Sequence, residues 1–225
     1  MLNRTNLTIS KDDLQIAIDN LPENDFKLTI NEPTGRFLYD PWIIKSEFKD
    51  TVWDNILKTL PNNIGEARLI SLRPTMCYQS HADIDDRYHL NLTGEYSYII
   101  NLDTKVMYEL LCDGYWYFLD TSPRHTATNF GPSIRHQLVV RKLLEKFSIS
   151  NSVRLKISID KLDPDNSRFR FDDVISSWLN TAHKKKIITN FEFSKNNVIF
   201  DICKNNINEI KDITQEEFKI EIIND

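Results

Sequence analysis

The sequence lacks a long hydrophobic run, an excess of basic residues and a dense set of cysteines. No segment approaches the ~20 apolar residues of a membrane span, and the first residues, MLNRTNLTISKDD, have no apolar centre of signal-peptide length. The formal net charge of −5 disfavours a nucleic-acid partner, which selects a basic surface. We therefore expect a cytoplasmic protein with neither a membrane nor a nucleic-acid partner.

The sequence also contains few cysteines. The three cysteines, Cys77, Cys112 and Cys203, are odd in number and scattered, which excludes a disulfide framework or a cysteine zinc site. We expect reduced, mostly packed thiols. The length of 225 residues allows one well-buried core and a small second unit.

The first 60 residues predict two amphipathic helices. Residues 10–21 form one, with Ser10 as its cap and Asp13 three residues on. Residues 46–60 form the other, with Ser46 as its cap and an apolar stripe at helical spacing. Between them, DFKLTI alternates weakly and predicts a strand.

From about residue 66 to 144 the pattern changes to short runs of branched and aromatic residues separated by turn residues. This is typical of an antiparallel double sheet or barrel. Asp113-Gly114 stands between two such runs and predicts a β-hairpin. The predicted runs are ARLISLRP, RYHLNLTG, YSYIINL, KVMYELLC, YWYFLDT and RHQLVV.

The last third predicts a small α+β unit. VRLKISI (153–159) alternates as a strand, FDDVISSWLNTAHKK (171–185) is helical, and ITNFEF and NVIFDI predict a hairpin. A short helix near 205–213 and a strand FKIEII complete a β-α-β-β-α-β order, which resembles a ferredoxin-like unit. With SISNS as the boundary, we predict domains at 1–148 and 149–225.

One spacing indicates a metal site. His81 and Asp83 are two residues apart, so on an extended segment both point the same way and can bind one ion. Such a pair is also expected by chance in a chain with 5 His and 33 Asp and Glu residues. A ferrous site needs a second histidine, and His125 is the candidate, although a lone histidine is more often a satisfied, partly buried side chain. Arg135, ten residues later, could bind a carboxylate bidentately or be an ordinary salt-bridged arginine.

Two segments carry a resemblance to a known family. HADIDDRYHLNLTG (81–94) and GYWYFLDTSPRHTATNFGPSIRHQLVV (114–140) resemble the core motifs of the aspartyl/asparaginyl β-hydroxylases. These are Fe(II)- and 2-oxoglutarate-dependent oxygenases, and the second segment looks most like their bacterial free-proline hydroxylases. The resemblance covers roughly residues 65–145. It implies a mainly β fold with flanking helices: a double-stranded β-helix (jelly-roll or cupin-like) core, here followed by the small C-terminal α+β unit.

The resemblance also implies roles for residues. It makes His81, Asp83 and His125 the catalytic iron ligands and Arg135 the anchor for the distal carboxylate of 2-oxoglutarate. Arg87 and His89 match an Arg-x-His element that helps to hold this co-substrate. The implied reaction uses O₂ and 2-oxoglutarate and yields succinate, CO₂ and a hydroxylated product. Further candidates for co-substrate, substrate or structural contacts are Ser71, Arg73, Arg124 and Asn129.

Several functions remain open from the sequence. The leading hypothesis is hydroxylation of a free amino acid, with proline as the first candidate. A peptidyl Asp, Asn or Pro hydroxylase acting on a protein substrate is the second. The third is a non-catalytic metal-binding β-barrel module, and a zinc or manganese cupin of unrelated activity is a related possibility because the same ligands bind several divalent ions.

Overall fold

The computed structural model describes residues 1–21, 26–158, 175–194, 197–214 and 218–223. The fold is mainly β, with antiparallel sheets and short helices. The chain divides into two compact units. The first contains Met1–Ser80 and Asp85–Leu144, and the second contains His81–Ile84 and Glu145–Asp225.

The first unit is built on a six-stranded and a three-stranded antiparallel sheet. The six-stranded sheet has the order β1-β9-β6-β11-β5-β2, and the three-stranded sheet has the order β10-β7-β8. A separate two-stranded sheet pairs β3 with β4. The strands are β1 (Leu2–Thr8), β2 (Lys27–Thr29), β3 (Asn31–Pro33), β4 (Trp42–Ile44), β5 (Ile64–Leu72), β6 (Arg87–Thr93), β7 (Ser97–Asn101), β8 (Val106–Glu109), β9 (Tyr115–Leu119), β10 (His125–Asn129) and β11 (Arg135–Lys142).

The predicted first helix is confirmed, whereas the second is interrupted. Helix α1 (Lys11–Asp19) begins after Ser10, whose Oγ accepts a hydrogen bond from the Asp13 amide at 2.9 Å. The predicted helix 46–60 is instead a 3-10 turn (Ser46–Phe48) followed by α2 (Val52–Leu57). Asp50 has a φ of 60°, a left-handed conformation that a continuous α-helix excludes.

The predicted Asp113-Gly114 hairpin is wrong. The strands on either side of it lie in different sheets: β8 pairs with β7, whereas β9 pairs with β1 and β6. Gly114 does turn the chain, with a φ of 74°, and its carbonyl accepts a hydrogen bond from the Ile9 amide at 2.9 Å. The dipeptide therefore marks a change of sheet rather than a two-strand reversal.

The two faces of the six-stranded sheet differ in character. One face packs on helices α1 and α2 through a hydrophobic cluster that includes Tyr88, Leu90 and Leu138. Because side chains alternate along a strand, the intervening residues of β6 and β11 point to the opposite face. That face carries buried polar residues, namely His89, Asn91, Arg135 and Gln137, and it holds the candidate co-substrate residues of the sequence.

Among its described residues, the second unit has the predicted order of elements. Its strands are β12 (Ser152–Ser158), β13 (Ile188–Ser194), β14 (Asn197–Cys203) and β15 (Lys219–Ile223), and its helices are α3 (Ser176–Lys184) and α4 (Ile207–Thr214). The strands form one antiparallel sheet in the order β13-β14-β12-β15. Part of the predicted helix 171–185, residues 171–174, lies outside the described residues, as do residues 195 and 196 of the predicted hairpin turn.

The structure bears on the prediction of reduced, mostly packed cysteines. All three cysteines are free, as predicted, but Cys77 and Cys112 are exposed and not packed. They lie just beyond or between strands, where a small side chain need not face the core.

Within the described residues, none of the helices has the length and apolar character needed to cross a membrane.

Candidate metal centre

Three side chains from distant parts of the sequence come together at one point. His81 and Asp83 lie in the connection between β5 and β6, and His125 is the first residue of β10. One ligand atom from each lies within 4.8 Å of the others, as the shared ligation of one ion requires. The metal-ligand set predicted from the sequence is therefore brought together geometrically.

His125 is oriented by its own chain. It is 3% exposed, and its Nδ1 lies 2.9 Å from the Pro123 carbonyl oxygen. Because a carbonyl can only accept, Nδ1 carries the hydrogen, and Nε2 carries the lone pair. This hydrogen bond selects the tautomer that a metal needs, in the manner typical of histidine ligands.

The side chains of His81 and Asp83 lie next to each other in this connection. His81 Nε2 lies 3.6 Å from Asp83 Oδ2. Their side chains are partly accessible, at 29% and 16%, whereas Ala82 between them is buried. The i, i+2 spacing thus brings the two side chains together, with the intervening side chain buried.

Arg135 is the second notable feature of the first unit. It is 2% exposed, and it donates hydrogen bonds from Nη1 to the Thr128 carbonyl oxygen at 3.0 Å and from Nη2 to Gln137 Oε1. Burial lowers the pKa of its guanidinium to about 10, so it still carries its charge at neutral pH. Within the part of the chain that the structure describes, Arg135 forms no ion pair with a carboxylate.

His89 is a buried histidine on the same polar face of the six-stranded sheet as Arg135. Burial, together with the nearby charges of Arg135, Arg87 and His125, lowers the pKa of His89 to about 3. This histidine is therefore neutral at physiological pH. The guanidinium of Arg87 lies near a buried carboxylate, with its Nη2 4.0 Å from Asp85 Oδ1.

The remaining candidates have mainly structural contacts. Ser71 Oγ accepts a hydrogen bond from the Phe26 amide at 2.8 Å, on the strand face that also carries Leu69. Asn129 is fully buried and bonds to backbone groups of its own turn and to the Leu72 carbonyl oxygen at 2.9 Å, which favours a structural role. Arg124 is half exposed and pairs with Asp103 at 2.8 Å. Arg73 is exposed.

One polar residue near the site was missed by sequence reasoning. Asn180, on α3, is 1% exposed, and its Nδ2 donates to the Asp83 carbonyl oxygen at 3.0 Å. The sequence analysis treated this segment only as an amphipathic helix. The available signal was an amide side chain directly beside the core position Leu179, but nothing in the sequence identifies a partner 97 residues away.

Comparisons with known proteins add no family. Neither the models of known protein families nor the curated proteins give a match to this sequence. The candidate metal ligands are therefore indicated by the side chains of this chain and their surroundings.

Proposed function

We propose that this chain is an Fe(II)- and 2-oxoglutarate-dependent dioxygenase that hydroxylates a free amino acid, with proline as the first candidate. In this proposal the two sheets of the first unit form a double-stranded β-helix, and the second unit is ferredoxin-like. One observation carries the proposal: a fully buried arginine, Arg135, has no acidic partner among the described residues, in the unit that also contains the candidate metal ligand His125.

The donor set fits a ferrous ion. Two imidazoles and one carboxylate leave part of the coordination sphere open, as non-haem Fe(II) oxygenases require. The same donors bind other divalent ions, so the metal alone does not define the reaction. When bound, the iron and 2-oxoglutarate supply the oxidising chemistry, with succinate and CO₂ as co-products.

The residues of the chain have separate tasks in this proposal. Arg135 binds the distal carboxylate of 2-oxoglutarate through its planar pair of donors, and burial strengthens this interaction by excluding water. The Pro123 carbonyl keeps the lone pair of His125 on Nε2. His89 stays neutral, so it can hydrogen-bond to the co-substrate without adding a charge beside Arg135.

The decisive test is a measurement of succinate. The protein is loaded with Fe(II) under anaerobic conditions and mixed with 2-oxoglutarate, O₂ and a panel of free amino acids and short peptides. We expect proline or another free amino acid to stimulate succinate release stoichiometrically with hydroxylated product. Asp83→Ala should reduce turnover to background because it removes a ligand. Asp103→Ala, which changes an exposed acid paired with Arg124, should retain turnover.

The outcomes separate the other functions that the sequence leaves open. Stimulation by peptides but not by free amino acids would indicate a peptidyl hydroxylase. Metal binding without any dependence on 2-oxoglutarate would indicate a non-catalytic module. Full turnover by Asp83→Ala would contradict the proposed metal centre.

A further inference from the structure

A helix of the second unit holds the backbone of a proposed metal ligand. Asn180 lies within α3, and its side-chain amide donates to the Asp83 carbonyl oxygen at 3.0 Å. The two residues belong to the same compact unit, because His81–Ile84 groups with Glu145–Asp225. The segment with two of the three ligands is thus tied to a helix from the C-terminal third of the chain.

An asparagine at this position needs a reason. Asparagine is a poorer helix former than alanine or leucine, and a buried amide is costly unless it is hydrogen-bonded. The other buried positions of this helix are mixed: Leu179 and Ala182 are apolar, at 0% and 2% exposure, whereas Ser176 and His183 are polar, at 4% and 5%. Asn180 is equally buried, at 1%. The hydrogen bond to the Asp83 carbonyl oxygen offsets part of the cost of burying this amide.

The acceptor is well placed to control ligand geometry. The Asp83 carbonyl carbon is bonded to the same Cα as the Asp83 side chain, so holding the carbonyl restricts where the carboxylate points. On the other side of the segment, the buried side chain of Ala82 limits movement. Together these contacts restrict the backbone of the segment that carries His81 and Asp83.

We propose that Asn180 is a positioning residue for the metal centre. Its hydrogen bond fixes the His81–Asp83 segment in its ligating conformation, so metal affinity depends on the C-terminal unit. This inference rests on the metal centre of the proposed function. It assigns to that unit a task in metal binding, separate from any contact with a substrate.

The test is a Co(II) titration, which reports on metal binding without turnover. The wild-type chain is compared with Asn180→Ala and with Asn180→Leu, which keeps the volume but lacks the donor. Asn31→Ala is the matched control. Asn31 is also 1% exposed and also donates to a backbone carbonyl, that of Gly65 at 2.8 Å, in the first unit. Thermal unfolding defines the temperature at which every variant is folded during the titration.

We expect both Asn180 variants to bind Co(II) about tenfold to a hundredfold more weakly, as losses of groups that orient metal ligands do. Their visible Co(II) absorption should also change, because the ligand geometry relaxes. Asn31→Ala should lose stability but keep wild-type affinity and spectrum. Wild-type affinity and spectrum in both Asn180 variants would overturn the inference.

Failure of this inference is distinguishable from failure of the proposed function. If the wild-type chain binds neither Co(II) nor Fe(II), the metal centre is wrong, and both proposals fall. If Co(II) binds and the Asn180 variants weaken it, but 2-oxoglutarate is never consumed, the positioning role stands without the oxygenase. If turnover is present and the Asn180 variants bind metal normally, only the positioning role is wrong.

Discussion

The charge of Arg135 is the strongest constraint at the scale of single residues. A buried ion costs several kcal/mol unless an opposite charge and hydrogen bonds compensate it. Hydrogen bonds to two neutral oxygens, of Thr128 and Gln137, compensate part of this cost. In the proposed function, a bound dicarboxylate completes this compensation.

Replacing Arg135 with methionine should separate co-substrate binding from metal binding. Loss of a desolvated charge pair costs about 2–5 kcal/mol, so the 2-oxoglutarate KM should rise on the order of a hundredfold or more. The affinity for Fe(II) should change much less, because Arg135 does not contribute a ligand atom. Both are measured by titration and initial rates, with Arg124→Met as the exposed control. A matching loss of both affinities would count against the assigned role.

The neutral state of His89 predicts a pH dependence of stability. Its pKa is about 3 in the folded chain and ordinarily 6.5, so between these values the unfolded chain binds more protons at this residue. This contribution to the free energy of unfolding is complete above pH 6.5 and is lost as the pH falls toward 3. His89→Gln lacks it. From pH 6.5 to 4, the stability of the wild type relative to the variant should fall by on the order of 3 kcal/mol.

Denaturant titrations at several pH values measure that difference directly. Carboxylates also titrate in this range, but they are common to both proteins and cancel in the comparison. A wild-type advantage that stays constant with pH would show that His89 is not held neutral by its surroundings.

At the scale of elements, the connection between β6 and β7 positions Arg135. Gly94 has a φ of 98°, and a Cβ added there would lie 2.8 Å from both Cα and Cβ of Arg135. Gly94→Ala therefore combines backbone strain with a backbone clash. Gly114 has a comparable φ of 74°, but an added Cβ would have its nearest neighbour at 3.5 Å.

The two glycine variants make a matched pair. We expect Gly114→Ala to cost about 1 kcal/mol of stability from its backbone conformation alone, and to leave the 2-oxoglutarate KM unchanged. Gly94→Ala should cost more, and it should raise that KM because β11 must shift at Arg135. Chemical denaturation and initial rates test both expectations. Equal effects of the two substitutions would contradict the close approach at Gly94.

The errors in the predicted elements have a common physical cause. Local signals located the turn at Asp113-Gly114 and the apolar stripe of residues 46–60. They could not determine that β9 pairs with β1 and β6, or that Asp50 interrupts the helix. Strand β1 was missed because it is a largely exposed edge strand whose pairing partner is more than a hundred residues away. Long-range pairing, rather than propensity, decided the two strand cases, whereas the helix is interrupted by the local backbone conformation of Asp50.

At the scale of the whole molecule, the sequence was most informative about the candidate metal ligands, which were chosen by residue type and spacing. The i, i+2 pair at His81 and Asp83 and the later His125 were predicted from residue types, and the fold brings them together. The order of strands and helices after residue 150 was also predicted correctly. The contact between Asn180 and Asp83 could not be predicted, because it depends on tertiary packing.

The most direct test of the central claim is anomalous diffraction at the iron edge. Crystals are grown anaerobically with Fe(II) and 2-oxoglutarate. We predict one iron peak per chain, within bonding distance of His81, Asp83 and His125, with the distal carboxylate of 2-oxoglutarate on the guanidinium of Arg135. An iron peak elsewhere, or a metal bound without His125, would contradict the account.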